Sequence, residues 1–324
     1  INQEYTLPNV DGDSLEILTT DGNGKVTWAT PSSENAFENM NGVVRAKVDT
    51  SDFVFGSPQL DDDGDLSHMS RMFFDKDKSA FRAGYASGNQ WDSSNVGRFS
   101  VAMGQNSEAN GSGSVAIGKN NIANGINSIA FGIGSTTEGG VSIALGENDT
   151  ASGDYSIAMG RGSYASNSNA VAIGESTFAS GNAAVALGSF TKAYGQTSTA
   201  TGYSTESSGQ YSFTTGNKTK SSGESSFAAG GETEASGNFS SSFGHKSESE
   251  GYASFSAGNS NKAVGTSSIS FGDNTTAKGQ YSTTLGQGTQ MNSKGGLAIG
   301  RYNDTINGTS SLTSPVMFTI GNGF

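Results

Sequence analysis

A glycine recurs every fourteen residues, without a break, from Gly104 to Gly300. A second column lies seven residues later and runs through Gly111, Gly125, Gly139, Gly153, Gly181, Gly195, Gly209, Gly223, Gly237, Gly251, Gly265 and Gly279; Asn167, Ser293 and Asn307 take its place three times. Gly and Asn both tolerate positive φ, so each column reads as a tight turn. Two turns per fourteen residues leave two short extended segments per repeat. The segment before each first-column glycine alternates with period two. Val115/Ile117, Ile129/Phe131, Ile143/Leu145, Val171/Ile173 and Val185/Leu187 stand three and one residues before it, with Ser or Ala between. Period two means a strand. A fixed period with a unit too small to fold alone means a solenoid of stacked coils. The alternation predicts that the large apolar side chains fill the inside of each coil. The small Ser/Ala face is then left to meet a neighbouring roll. On this reading Thr199/Thr201, with no large member, mark the least stable coil. Between residues 213 and 257 each pair combines one Phe with one small residue, which conserves core volume.

Composition alone points the other way. Val, Ile, Leu and Phe make up about 17% of the chain, below the ~20% at which composition reads as disorder. Gly, at 47 of 324 residues, is about twice as frequent as the usual ~7%. The repeat outweighs composition, because ordered spacing builds a core from few large side chains. Such a core is thin. Its burial, at ~25 cal/mol per Å², faces an ordering cost of about 1–2 kcal/mol per residue. The balance favours association of identical rolls. Net charge is −12, and no segment is basic, so nucleic acid is excluded as a partner. There is no cysteine. No apolar run reaches the ~20 residues of a membrane helix. The chain reads as a piece of something longer, with its export signal or anchor elsewhere.

The stretch SVAIGKNNIANG (residues 114–125) and its copies resemble the head repeat of trimeric autotransporter adhesins, the YadA-like head family. The resemblance covers residues 99 to about 307. It implies an all-β fold: a left-handed parallel β-roll solenoid, here of about fifteen 14-residue coils, three of which associate into a homotrimeric rod. The handedness comes from the resemblance alone. Heads of this family are surface adhesins that bind host matrix, cells or each other. The family's neck, stalk and membrane-anchoring barrel have no counterpart in the sequence. The flanking segments 7–30 and 71–104 resemble fibre-like proteins of phages and environmental bacteria. MFTIGNG (residues 317–323) resembles the last coil before a cleavable chaperone domain in some tail fibres.

Four regions follow. Residues 1–70 lack the period and form a β-rich attachment region; TTDGNGKVTW (19–28) carries hairpin turn signals, and residues 34–46 are expected to hold a short helix or turn. Residues 71–98 are a transition and capping coil. AFRAG ends at Gly84, twenty residues before Gly104, and Trp91 lies in the extra segment as a cap. Residues 99–308 are the head repeats. Residues 309–324 are a C-terminal cap, in which Phe318, Ile320 and Gly321 recreate the strand motif twenty-one residues after Gly300, one half-coil out of step. Open solenoid ends need such covers, because they expose unpaired strand edges.

Few residues stand out as sites. Phe99, Tyr155, Tyr211, Phe239 and Tyr281 share one register and form a ridge. They are candidates for a ligand surface, against the plainer reading that they pack between rolls. Thr177, Thr191, Thr205, Thr219 and Thr233 form a ladder; an ordered-surface ligand such as ice is weighed against simple strand propensity, and the latter is favoured. Asp61, Asp63 and Asp65, around Gly64, have the alternating oxygens of a Ca²⁺ loop, but lack its closing Glu and read more readily as a solvated acidic turn. GIGSTTEG (132–139) is one copy of the repeat and not a phosphate loop. His68 and His245, the only histidines, have no nucleophile or paired acid near them in sequence, and no enzyme is expected.

Three functions are therefore carried forward. The first is a non-enzymatic trimeric adhesin head at the cell surface or outside the cell, with a receptor, glycan or matrix protein as partner and no membrane insertion in this segment. The second is a receptor-binding or structural tail fibre of a phage or contractile injection system. The third is a catalytic, glycan-degrading solenoid, which would need paired carboxylates that the repeat does not offer.

Overall fold

The computed structural model describes Pro8 and residues 16–20, 25–29, 37–40, 43–46, 53–57, 59–303 and 318–322. The chain divides into two units, Ile1–Ser51 and Asp52–Phe324. The first holds two antiparallel hairpins. Ile17–Thr20 pairs with Val26–Ala29, as the turn signals predict. Phe37–Met40 pairs with Val43–Ala46, a hairpin where a helix or turn was expected. The missed signal is Asn41-Gly42, the dipeptide that favours a two-residue hairpin loop.

The second unit is a parallel β-solenoid. Each fourteen-residue coil supplies one five-residue strand, from Val101–Gln105 to Leu297–Arg301, and one two-residue strand, from Glu108–Ala109 to Gln290–Met291. Equivalent residues of successive coils pair in register: Val115 with Ile129, Gly118 with Gly132, Ala123 with Thr137. Backbone hydrogen bonds such as Val115 N–H to Ser128 O (2.9 Å) and Ile122 N–H to Ser135 O (2.9 Å) tie each coil to the next. The short strands form a fourteen-stranded sheet. At ~4.8 Å per strand the stack is about 70 Å long.

The interior is the reverse of the expected one. Ala102, Ala116, Ala130, Ala144, Ala158 and their successors are completely buried, and so are the serines two residues before them. On the two-residue strand, Ala109, Ala123, Ala151 and Ala165 point inward as well. The large residues face outward: Phe131 is 51% exposed and Phe271 53%. The assignment of the large face to the inside of the coil is therefore corrected, as is that of the Ser/Ala face to a neighbouring roll. Small side chains fill most of the cross-section; Arg82 and Met291, near its two ends, are the large ones buried there. Thr199 and Thr201 sit on the outer face, where Thr201 Oγ1 donates to Thr215 Oγ1 (2.9 Å), so they mark no gap in the core.

The glycine columns have different reasons. First-column glycines have φ between +102° and +140°. A Cβ on Gly216, at φ +120°, would lie 2.0 Å from the Gly230 carbonyl oxygen of the next coil. Second-column glycines do not adopt positive φ, so the turn argument fails for them. They are needed for closeness alone: a Cβ on Gly209 would meet the Gly223 carbonyl oxygen at 1.9 Å. The left-handed positions lie elsewhere. In the turn 111–114, Ser114 N–H donates to Gly111 O (3.2 Å), and Gly113 at its third position has φ +71°, as a type II turn requires. Its equivalents include Asn127, Asn169, Tyr155 and Tyr211, all at positive φ.

Both ends are covered. Ala80–Tyr85 pairs in parallel with Val101–Gln105, with Gly84 opposite Gly104, so the interrupted period resumes in register. Arg82 thereby takes the inward position of Ala102 and is fully buried. Its guanidinium plugs the opening: Nη1 donates to Phe81 O (2.9 Å) and Ser100 O (3.2 Å), Nη2 to Ser100 Oγ (2.9 Å) and Ala109 O (3.0 Å). Desolvation lowers the Arg82 pKa to about 10, against the opposing pull of Asp75, so the group stays charged at neutral pH. Trp91, also fully buried, donates Nε1–H to Ser107 O (2.9 Å) and packs edge-on against Phe73; it is the cap that its place in the sequence implies. Phe53–Phe55 and Ser70–Asp75 extend this end by antiparallel pairing. At the other end Phe318–Asn322 stacks on Leu297–Arg301 with Gly321 opposite Gly300.

One inward side chain is out of character. Asp149 is fully buried and occupies the register of Asn121 and Asn261. Asn121 Nδ2 donates to Ile117 O (2.8 Å) and Gly132 O (2.7 Å); Asn261 Nδ2 donates to Ala257 O (2.7 Å) and Gly272 O (2.8 Å). Asp149 Oδ1 accepts from Ser163 N–H (2.7 Å), as the asparagine oxygens do from the next coil, while Oδ2 has no hydrogen-bond partner. By register Oδ2 stands where the amide nitrogen donates to two carbonyls. Burial pushes the Asp149 pKa up, Glu147 adds to the rise, and backbone hydrogen bonding at Ser163 and Gly160 opposes it.

This packing sets two expectations. Gly216→Ala should destabilise the solenoid by on the order of 3 kcal/mol, read as a lowered midpoint in denaturant. Because the Asp149 pKa is raised in the fold, the native state holds a proton that the unfolded chain releases. Its contribution to stability is complete below the unfolded pKa of ~3.9 and is lost as pH rises through the folded value. Asp149→Asn should remove that loss, giving a Tm above that of the parent at pH 8 and a difference that shrinks towards pH 4.

Candidate interaction surfaces

The alternation that packs alanine inward leaves a largely apolar band outside, interrupted at Thr199 and Thr201. It comprises the residues three and one before each first-column glycine, from Val101 and Met103 to Leu297 and Ile299. Along its middle, Phe213 and Phe227 stack at 5.0 Å, Phe227 and Phe243 at 5.1 Å, and Phe243 and Phe255 lie 5.7 Å apart. The Phe-plus-small pairs thus build an aromatic file on the surface instead of conserving core volume. Large apolar residues such as Phe131 and Phe271, 51% and 53% exposed, recur along it, and an extended exposed apolar patch is the kind of surface that serves association.

The aromatic ridge lies at a turn beside this band. Phe99, Tyr155, Tyr211, Phe239 and Tyr281 all have φ between +57° and +59° and all are exposed. Their rings reach towards the following coil: Phe239 packs edge-on against Tyr252 at 5.4 Å, and the Lys294 ammonium lies 5.7 Å from the Tyr281 ring. A bulky residue in the left-handed region costs roughly 1–2 kcal/mol, whereas Gly113 and Asn127 fill the same position in neighbouring coils without that cost.

The threonine ladder is not a surface. Thr177, Thr191, Thr205, Thr219 and Thr233 are buried, and Thr177 Oγ1 donates to Ser163 Oγ (2.9 Å) inside the roll. A role in binding an ordered surface is excluded for it. In the acidic loop each carboxylate serves the backbone. Asp61 Oδ1 accepts from Ser93 N–H (2.6 Å), Asp63 Oδ1 from Asp65 N–H (3.0 Å), and Asp65 Oδ1 from Ser67 N–H (2.9 Å) and Oγ–H (2.8 Å). Asp63 Oδ2 also meets His68 Nδ1 at 2.6 Å, which corrects the reading that His68 has no acid near it. These bonds hold both the Asp63 and Asp65 pKa values below the usual range, backbone amides being the leading cause. The three carboxylates turn to different partners; among the described residues no three His, Cys, Asp or Glu side chains converge on a point.

Sequence reading missed the ladders along the outside. His245 Nδ1, Asn259, Asp273, Gln287 and Arg301 are linked in file by hydrogen bonds of 2.8–3.1 Å. Glu248 and Lys262 pair at 2.5 Å, Glu206 and Lys220 at 3.8 Å, Glu232 and Lys246 at 3.8 Å. All are fourteen residues apart. The fourteen-residue spacing was the signal, since it makes such residues cross-strand neighbours.

Against this geometry, the family model for the YadA head domain repeat matches residues 97–121, 123–148, 142–163, 151–177, 165–191, 179–205, 221–247 and 263–289. The chain belongs to the YadA head domain family. The matches fall on the in-register coils and leave the flanks unmatched, so the tail-fibre likeness of those flanks gains no support. No curated protein matches the chain. As a YadA-type head it is of the adhesin type found in trimeric autotransporters. No helix among the described residues is long and apolar enough to cross a membrane.

For this YadA-type head the ridge yields a direct test. Tyr211→Asn removes one ring and relieves its left-handed strain. Thermal unfolding should show a gain of about 1 kcal/mol; a loss would mean that the ring packs against another copy of the chain.

Proposed function

We propose that the chain is the head of an attachment protein, displayed at the cell surface or released outside the cell, that works as a homotrimer and without catalysis. The outer apolar band carries this reading. A solenoid whose interior is mostly alanine, serine and threonine buries little apolar area on its own, and the large residues three and one before each first-column glycine, which would supply more, face outward. Three copies packed band to band would bury them, in line with the association expected of this family. The turns, polar ladders and aromatic ridge then remain as the outer surface of a stiff rod, available to a receptor, glycan or matrix protein. The net charge of −12 disfavours nucleic acid.

Sedimentation equilibrium of the whole chain should give the mass of three copies. Phe131→Glu with Phe271→Glu should reduce that mass to one copy. Beads coated with the parent chain should adhere to cultured cells or matrix-coated wells, and beads carrying the double variant should not. A stable, folded, adhesive single chain would contradict the proposal.

A further inference from the structure

The aromatic side chains are not spread evenly along the flank that carries the two-residue strands. Tyr164, Phe178, Phe190, Tyr194 and Tyr203 crowd into four successive coils, all partly exposed. Equivalent positions elsewhere hold Glu108, Thr136, Asn120, Asn148, Asn217 and Glu234. The solenoid does not need rings here, and at Phe190 it tolerates one at a disadvantage. Phe190 has φ +57°, in a column where Asn106, Asn120 and Asn148 adopt the same conformation with less strain. Phe190 and Tyr203 meet edge to face, centroids 5.8 Å apart at 81°. With Lys192, Ser204, Thr205 and Glu206 they line an open groove of about 410 Å³. Tyr164 and Phe178 form a second pair at 6.3 Å, and Phe178 pairs in register with Lys192 on the groove's edge.

We infer that the Phe190–Tyr203 groove is a binding subsite for an uncharged glycan. This rests on the attachment reading and names the ligand class of one site within it. A sugar ring has an apolar C–H face and a rim of hydroxyls. The half-exposed rings of Phe190 and Tyr203 offer the first a flat apolar contact. The Lys192 ammonium, the Glu206 carboxylate and the Ser204 hydroxyl offer the rim a donor, an acceptor and a group that is both. The lining carries one cation, Lys192, and one anion, Glu206, the latter also paired with Lys220 at 3.8 Å, and a chain of net charge −12 repels acidic sugars. Six lining residues are too few for a protein partner, which takes roughly 20–30 residues a side.

The test applies the whole chain to an array of uncharged, sialylated and sulfated oligosaccharides, alongside Phe190→Asn, Tyr203→Ser and, as a control in the same turn column but outside the groove, Tyr302→Asn. Phe190→Asn installs a residue that the left-handed position already accepts in other coils, so folding is preserved. Retention of an uncharged glycan by the parent and Tyr302→Asn, with at least tenfold weaker retention by Phe190→Asn and Tyr203→Ser, is expected. Retention of acidic glycans only, of no glycan, or equally by all variants overturns the inference. Groove variants that keep full adhesion to cells while the array shows no difference would overturn the subsite and leave the attachment reading standing.

Discussion

The whole structure depends on how closely one coil lies on the next. The missing Cβ of Gly216 would sit 2.0 Å from a carbonyl oxygen, and that of Gly209 1.9 Å. Apart from Asn167 and Ser293 in the second column, no side chain occupies that space, so the two glycine columns hold the coils close and flatten each one. A flattened coil has room inside only for methyl and hydroxyl groups. Ser, Ala, Thr and Asn therefore fill most of the interior, and some of the hydroxyls find carbonyl partners close at hand: Ser114 Oγ donates to Gly111 O at 2.7 Å, Ser142 Oγ to Gly139 O at 2.6 Å, whereas others, such as Ser156 and Ser240, have none in the chain.

This constraint moves the source of stability. In most domains the large apolar residues make the core. Here the in-register backbone ladder holds each coil, while the large residues wait on the outside for another surface. The ends must then be closed by other means. Arg82 reaches into the opening with four hydrogen bonds, and Trp91 with Phe73 closes over it. The same in-register stacking turns any fourteen-residue spacing into contact, which is why single polar residues such as His245 and Asn259 join into files. A rod of this kind can vary its outward residues coil by coil without disturbing the interior, and the Phe190–Tyr203 groove is such a local variation.

The period was legible in the sequence, and with it the parallel stack, its register and the resumption at Gly84; the strand at Gly321 was legible as a motif but not in its place, since twenty-one residues read as half a coil out of step and Gly321 instead pairs opposite Gly300. The face assignment was not. Alternation of Val115, Ala116 and Ile117 states that two faces differ, and it is equally consistent with either one pointing in. The usual tie-breaker, that large apolar residues go inside, fails when glycine contacts limit the cross-section. A corrective signal was present. Ser107, Asn121, Thr177 and Thr191 share a column that alternates in phase with Ala109, Ala123, Ala179 and Ala193, so the second strand offered only small residues for either interior. The candidate sites were less legible still. The ridge at Tyr155 and Tyr211 was visible as a column, but its left-handed backbone was not, and the groove at Phe190 joins residues from different columns that only the turn brings together.

The orientation of the alternating face is the claim on which the rest stands, and unfolding of Ala186→Leu beside Leu187→Ala measures it most directly. If alanine faces inward, Ala186→Leu overfills the coil and lowers stability by about 1–3 kcal/mol or more, whereas Leu187→Ala leaves the β-structure of the chain intact and weakens its association. Tolerance of leucine at 186, together with a cavity-sized loss of about 2–5 kcal/mol at 187 and no change in solution mass, would contradict it.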